Sequence, residues 1–153
     1  ASADFSVPGA GKTTTALAFY LLKRVSDKTK LLIISPINAF GAWDEEIKEC
    51  LGDDKIICRL RGSTKETQND LNSNNQFFIT NYEKVRSDLS FLTQLSEELT
   101  NDDKDYVLIL DESHKMKGEQ TGKYINYLSH LARNRHHNQH QLYDQALNFL
   151  KFL

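Results

Sequence analysis

The chain has 153 residues, room for one ordinary domain and too little for two. With 39% hydrophobic and 26% charged residues it has a globular make-up, and a formal net charge of −2 excludes a histone-like binder that holds nucleic acid by surplus Lys and Arg. No stretch approaches the ~20 apolar residues of a membrane helix. Residues 1–5 lack the basic start of a secretory signal, and Cys50 and Cys58 are too few for a disulfide framework or a four-cysteine zinc site.

In chain order, Ala3–Phe5 is a short candidate strand before a Gly-rich loop. Lys12 to Arg24 carries Ala16, Leu17, Tyr20 and Leu21 at helical spacing. Leu31–Ile34 is an apolar strand that stops at Ser35-Pro36, and Ala39 to Leu51 is a helix with Phe40, Trp43, Ile47 and Leu51 on one stripe. That stripe makes Trp43 a core residue rather than a base-stacking one. Lys55–Leu60 and Gln76–Thr80 are further strands, and Asn69 to Asn75, with four asparagines, is a surface loop between them. Ser87 to Ser90 breaks a helix, Ser90 to Leu99 forms the next one, Tyr106–Leu110 is a strand apolar throughout, and Tyr124 to Ala132 is helical. Strands alternating with helices at this spacing predict an α/β fold: βαβ units in a parallel sheet with helices on both faces.

Two constellations carry chemistry. Ser6-Val7-Pro8-Gly9-Ala10-Gly11-Lys12-Thr13 matches the phosphate-loop pattern, with Ser6 in the place of the first glycine. Gly9 and Gly11 let the backbone N–H groups turn inward at the positive end of the following helix, Lys12 reaches the β and γ phosphates, and the Thr13 hydroxyl ligates Mg²⁺. Pro8, Ala10 and Thr14 complete the predicted nucleotide-binding set, so ATP and Mg²⁺ are the expected ligands. The second is Leu110-Asp111-Glu112-Ser113-His114, two acids at the C-terminal end of a buried strand, the edge where ligands gather in open α/β sheets. Asp111 would hold the Mg²⁺ opposite Thr13, and Glu112 would position or deprotonate the attacking water, which makes Lys12, Asp111 and Glu112 the catalytic candidates. His114 either couples nucleotide state to a neighbouring domain or is a polar turn residue.

Together these motifs resemble the first RecA-like, ATP-binding domain of superfamily-two helicases, with Asp111-Glu112-Ser113-His114 as a variant of the DEAD/DEAH box. Leu31 to Ile47 is similar to motif Ia of the Snf-type branch, Phe78-Ile79-Thr80-Asn81-Tyr82-Glu83-Lys84-Val85 to that branch's "ITSYE" segment, and Asp111 to Lys117 to its motif II with a basic tail. The resemblance implies an ATP hydrolase that drives translocation on double-stranded DNA. It also implies that Ser35, Pro36, Thr80, Asn81 and Tyr82 lie on the DNA-tracking surface. Ser, Thr and Asn can donate to phosphate oxygens, and they can equally cap helices or form turns.

In this family a helix like Leu128–Arg133 leads into a buried strand ending in motif III; here Asn134 to His140 follows, and Gln141 to Leu150 then resembles the helix after motif III. Residues 1–135 are therefore expected to form the ATP-binding lobe without the motif III strand, and residues 136–153 a polar linker and an amphipathic helix. His136, His137 and His140 fit a solvated linker better than a metal site. The stripe Leu142, Ala146, Phe149, Leu150 and Leu153 offers a surface for self-association. The second RecA-like lobe, which supplies the arginine finger, is not found in these residues, so this chain alone is expected to hydrolyse ATP weakly or not at all. The alternatives are a restriction-type or RNA-directed member of the same superfamily, or a binding module that has lost motor function. A cytoplasmic setting, or a nuclear one in a eukaryote, is expected, with no membrane partner.

Overall fold

The computed structural model describes residues 2–5, 11–112 and 118–134. Among them five strands, β1 (Ser2–Phe5), β2 (Lys30–Ile34), β3 (Ile57–Arg59), β4 (Phe77–Thr80) and β5 (Tyr106–Asp111), form one all-parallel sheet in the order β1-β5-β2-β4-β3. The helices are α1 (Lys12–Lys23), α2 (Phe40–Leu51), α3 (Thr64–Asn72), α4 (Tyr82–Ser87), α5 (Leu89–Thr100) and α6 (Glu119–Asn134). A 3₁₀ turn, Ile37–Ala39, leads into α2. The expected α/β architecture is what the chain adopts. No helix among the described residues is long and apolar enough to cross a membrane.

Because successive side chains of a strand point to opposite faces, the apolar runs divide into two cores. Leu31, Ile33, Phe77, Ile79, Val107 and Ile109 meet Ala16, Leu17 and Tyr20 of α1 and Phe40, Trp43 and Ile47 of α2. Leu32, Ile34, Phe78, Leu108 and Leu110 face the other way, onto Leu71 of α3, Val85 of α4, Phe91, Leu92, Leu95 and Leu99 of α5, and Ile125, Leu128 and Leu131 of α6. Leu21 lies outside its expected stripe and is exposed, because the buried arc of α1 is narrower than the sequence suggests.

Helix α3 departs from expectation. Residues 69–72, read as loop, are the last turn of α3; the turn proper is Ser73–Gln76. Helix α3 is held by a reciprocal cap in which the Ser63 hydroxyl accepts from the Glu66 N–H and Glu66 accepts from the Ser63 N–H. Helix α4 follows β4 directly, with the Asn81 side chain accepting from the Lys84 N–H at 2.8 Å. The expected break at Ser87–Ser90 is a joint between helices centred on Asp88. One carboxylate oxygen accepts from the Phe91 N–H at 3.0 Å and caps α5, while the other accepts from the Lys84 ammonium at 2.7 Å.

The Lys84 hydrogen bond, and then the Phe91 N–H, hold the Asp88 carboxyl below its ordinary value. Asp88→Ala is expected to cost about 1–2 kcal/mol at neutral pH, read by urea denaturation. The depressed folded-state pKa makes this contribution complete above the ordinary carboxylate range. It is lost as pH falls through the depressed value, so the gap between the parent and Asp88→Ala should narrow in acid.

Candidate functional site

The sheet order brings the two predicted constellations together. β1 and β5 are parallel neighbours with Phe5 in register with Asp111, so the loop after β1 and the acids ending β5 emerge at the same edge. β2 lies on the other side of β5, and β4 next to β2, with Ile34 in register with both Leu110 and Thr80. The segments after β2 and β4 therefore open on that edge too. Pro8, Gly9, Ala10, Ser113, His114, the three clustered histidines and the C-terminal apolar stripe lie outside the described residues.

Helix α1 opens on Gly11 at φ +88°, a left-handed conformation that glycine adopts without strain. No side chain among the described residues caps this end, where first-turn N–H groups and the positive end of the helix dipole lie. The Lys12 ammonium lies 3.7 Å from Oε1 of Glu112, with both side chains about one-fifth exposed (19% and 23%). Glu112 itself sits at φ +54°, an uncommon conformation for a side-chain-bearing residue and one that clusters at functional sites. The Thr13 hydroxyl makes no hydrogen bond with a described residue. The Thr14 hydroxyl donates to Glu46 of α2, so only its backbone remains for a phosphate.

Asp111 is buried, at 8% exposure. Its Oδ2 accepts from the Ser35 hydroxyl at 3.1 Å and from the Trp43 indole N–H at 3.0 Å, and its carbonyl accepts from the Tyr82 hydroxyl at 2.7 Å. Its Oδ1 receives no hydrogen bond from a described residue. A half-buried ammonium, an uncommitted hydroxyl, a carboxylate with one oxygen open and a second carboxylate beside the ammonium match a nucleotide triphosphate with its Mg²⁺.

The five residues expected on a nucleic-acid surface are all placed at this edge, but their side chains largely face inward. Ser35 (0% exposed) and Thr80 (1%) are buried, the first bonded to Asp111 and the second donating to the Leu60 carbonyl at 3.1 Å. Their hydroxyls are therefore not surface donors, which corrects that part of the expectation. Thr80 ends β4 and Ser35 directly follows β2, parallel strands covered by helices on each face, and burial leaves each hydroxyl to find an internal acceptor. Pro36, Asn81 and Tyr82 are half-buried, with Asn81 capping α4 and Tyr82 bonded to Asp111. Trp43 is a core residue as expected at 1% exposure, yet its N–H reaches the acidic motif, a role that helical spacing does not signal.

Comparisons with known proteins agree with this geometry. Residues 6–146 match the family described as "Type III restriction enzyme, res subunit". The chain is 31% identical over 126 residues to mouse "Chromodomain-helicase-DNA-binding protein 1-like", covering 74% of this chain and 12% of that protein. It is 24% identical over 140 residues to "Chromatin-remodeling ATPase INO80" of Eremothecium gossypii, covering 83% and 9%. The INO80 of Vanderwaltozyma polyspora is 26% identical over 142 residues, covering 83% and 8%. The chain thus spans about a tenth of the length of the curated relatives it matches. With the family matched over most of its length and a five-stranded parallel sheet flanked by helices, the chain belongs to the type III restriction enzyme res subunit family and is a RecA-like, helicase-type ATPase domain of superfamily two.

Proposed function

We propose that the chain is the Mg-ATP-binding lobe of a motor that moves along double-stranded DNA. The observation that carries this reading is the Lys12–Glu112 pair at 3.7 Å with Asp111 beside it, across the ends of neighbouring strands β1 and β5. Lys12 would bind the β and γ phosphates, and Glu112 would orient the attacking water and take its proton. Thr13 and Asp111 Oδ1 would hold Mg²⁺, which when bound offsets charge on the phosphates. Gly9 and Gly11, with Pro8, Ala10 and the Thr14 backbone, would shape the phosphate cradle. Efficient hydrolysis and translocation would need a second RecA-like lobe to supply an arginine finger and the other half of the DNA grip.

The relatives, a chromodomain helicase-DNA-binding protein and two chromatin-remodeling ATPases, support duplex DNA as the track. Backbone N–H groups around Pro36 and Asn81, with the edges of Asn81 and Tyr82, would face the phosphates in place of the buried Ser35 and Thr80 hydroxyls. The family's own description favours a second reading, a restriction-type motor with the same ATP site. Fluorescence anisotropy of labelled duplex DNA and duplex RNA, each titrated with the chain in Mg²⁺ and a slowly hydrolysed ATP analogue, tests the track. Salt-sensitive binding to the DNA duplex, several-fold tighter than to RNA, is expected. Equal or tighter binding to RNA would overturn the DNA assignment.

A further inference from the structure

We infer that Ser35 and Trp43 are positioning residues for the Asp111 carboxylate, fixing which of its oxygens faces the Mg²⁺ of bound nucleotide. The inference rests on the ATP-binding role proposed above and deepens it.

Two donors from different elements converge on one oxygen. The Ser35 hydroxyl, just past β2, and the Trp43 indole N–H, on α2, both reach Oδ2 of Asp111, at 3.1 and 3.0 Å. Both residues are fully buried (0% and 1%), which limits competition from water, and the Ser35 hydroxyl has one other acceptor within reach, the Pro36 carbonyl at 3.2 Å. An oxygen that already accepts two hydrogen bonds has little lone-pair density left for a cation. Oδ1, which takes none from a described residue, is the oxygen left for the metal or its water.

The chemistry of the donors matters as much as their number. Hydroxyl and indole are neutral, so they orient the carboxylate without cancelling the negative charge that attracts the cation. A Lys or Arg in either place would do the reverse. A buried indole N–H needs an acceptor, and a backbone carbonyl would serve packing equally well. Here the acceptor is the acid that ends β5, beside the phosphate loop. Groups that orient a metal-ligating carboxylate are commonly worth ~10–100-fold in metal affinity.

Trp43→Phe keeps the aromatic bulk and removes the N–H; Ser35→Ala removes the hydroxyl. ATP binding by calorimetry across a Mg²⁺ series and in EDTA, with a thermal melt of each variant, separates positioning from packing. Each variant is expected to raise the Mg²⁺ concentration for half-maximal ATP binding about tenfold, with binding in EDTA unchanged. Trp43 is the sole tryptophan of the chain, so its emission should also shift more with Mg-ATP than with ATP in EDTA. Variants that match the parent's Mg²⁺ dependence overturn this inference alone. So does equal weakening with and without Mg²⁺, which would assign both residues to packing. A parent chain that binds no ATP overturns the ATP-binding role as well. If Trp43→Phe does not fold, Ser35→Ala decides.

Discussion

Lys12→Ala is expected to weaken Mg-ATP binding by about 100-fold or more, measured by calorimetry on the parent and the variant with both shown to be folded. An ammonium that donates to two phosphate groups makes charge-assisted hydrogen bonds of roughly 1.5–3 kcal/mol each, so their joint loss is worth at least two decades in Kd. The side chain is already in place for this: about one-fifth exposed, at the first turn of α1, with Glu112 3.7 Å away. That partially desolvated position makes the interaction stronger than a surface lysine would give. The fold should tolerate the change, because the pair with Glu112 is long at 3.7 Å and Lys12 lies outside both core clusters. A folded Lys12→Ala that binds Mg-ATP as tightly as the parent would remove the phosphate loop from the proposed mechanism.

The chemistry of this site was legible in the sequence to the extent that it lies in contiguous strings. Gly11-Lys12-Thr13 and Leu110-Asp111-Glu112 each suggest the proposed roles by residue type and order, and the parallel register of Phe5 with Asp111 then puts the ends of β1 and β5 side by side. What was not legible depends on the sheet order. No pattern in the chain says that β5 lies between β1 and β2, and it is this order that sets the segment after β2 beside the acids. Once β2 and β5 are neighbours, Ser35 has Asp111 within reach and its hydroxyl turns inward instead of toward a nucleic acid. Trp43 was placed in the core by its spacing, but the direction of its N–H follows from how α2 seats on the sheet.

The secondary structure divides in the same way. β5 was readable because all six of its residues are buried, as a strand covered on both faces requires. α3 was hidden because only Thr67 and Leu71 are buried along it, too few to make an apolar stripe. Its signal was chemical: Ser63 followed three residues later by Glu66, a capping box that fixes the start of the helix without hydrophobic periodicity. α6 begins at Glu119, a turn earlier than its apolar residues indicate, with an ion pair from Lys123 to Glu119 at 3.1 Å along its first turns.

Phe78→Ala is expected to destabilise the fold by about 3–5 kcal/mol, lowering the melting temperature by roughly 10 °C in a chain of this size. Phe78 is fully buried in β4, with Leu32 and Cys58 beside it in register on the neighbouring strands. The Lys30 ammonium lies 5.1 Å from the ring centroid and donates to the carbonyls of Leu71 and Ser73, which fastens the end of α3 over the sheet. Removing the ring opens a cavity in the larger of the two cores and takes away the surface against which that lysine rests. The cost should appear in urea or thermal denaturation and not in nucleotide affinity. Phe78 faces α3 to α6, whereas Trp43 and helix α1 lie across the sheet, packed against Ile33 and Ile109. Leu22→Ala supplies the contrast: this leucine is 82% exposed, and its loss should move stability by less than about 0.5 kcal/mol. Equal losses for the two variants would mean that the α3 to α6 face is not the tightly packed core described above.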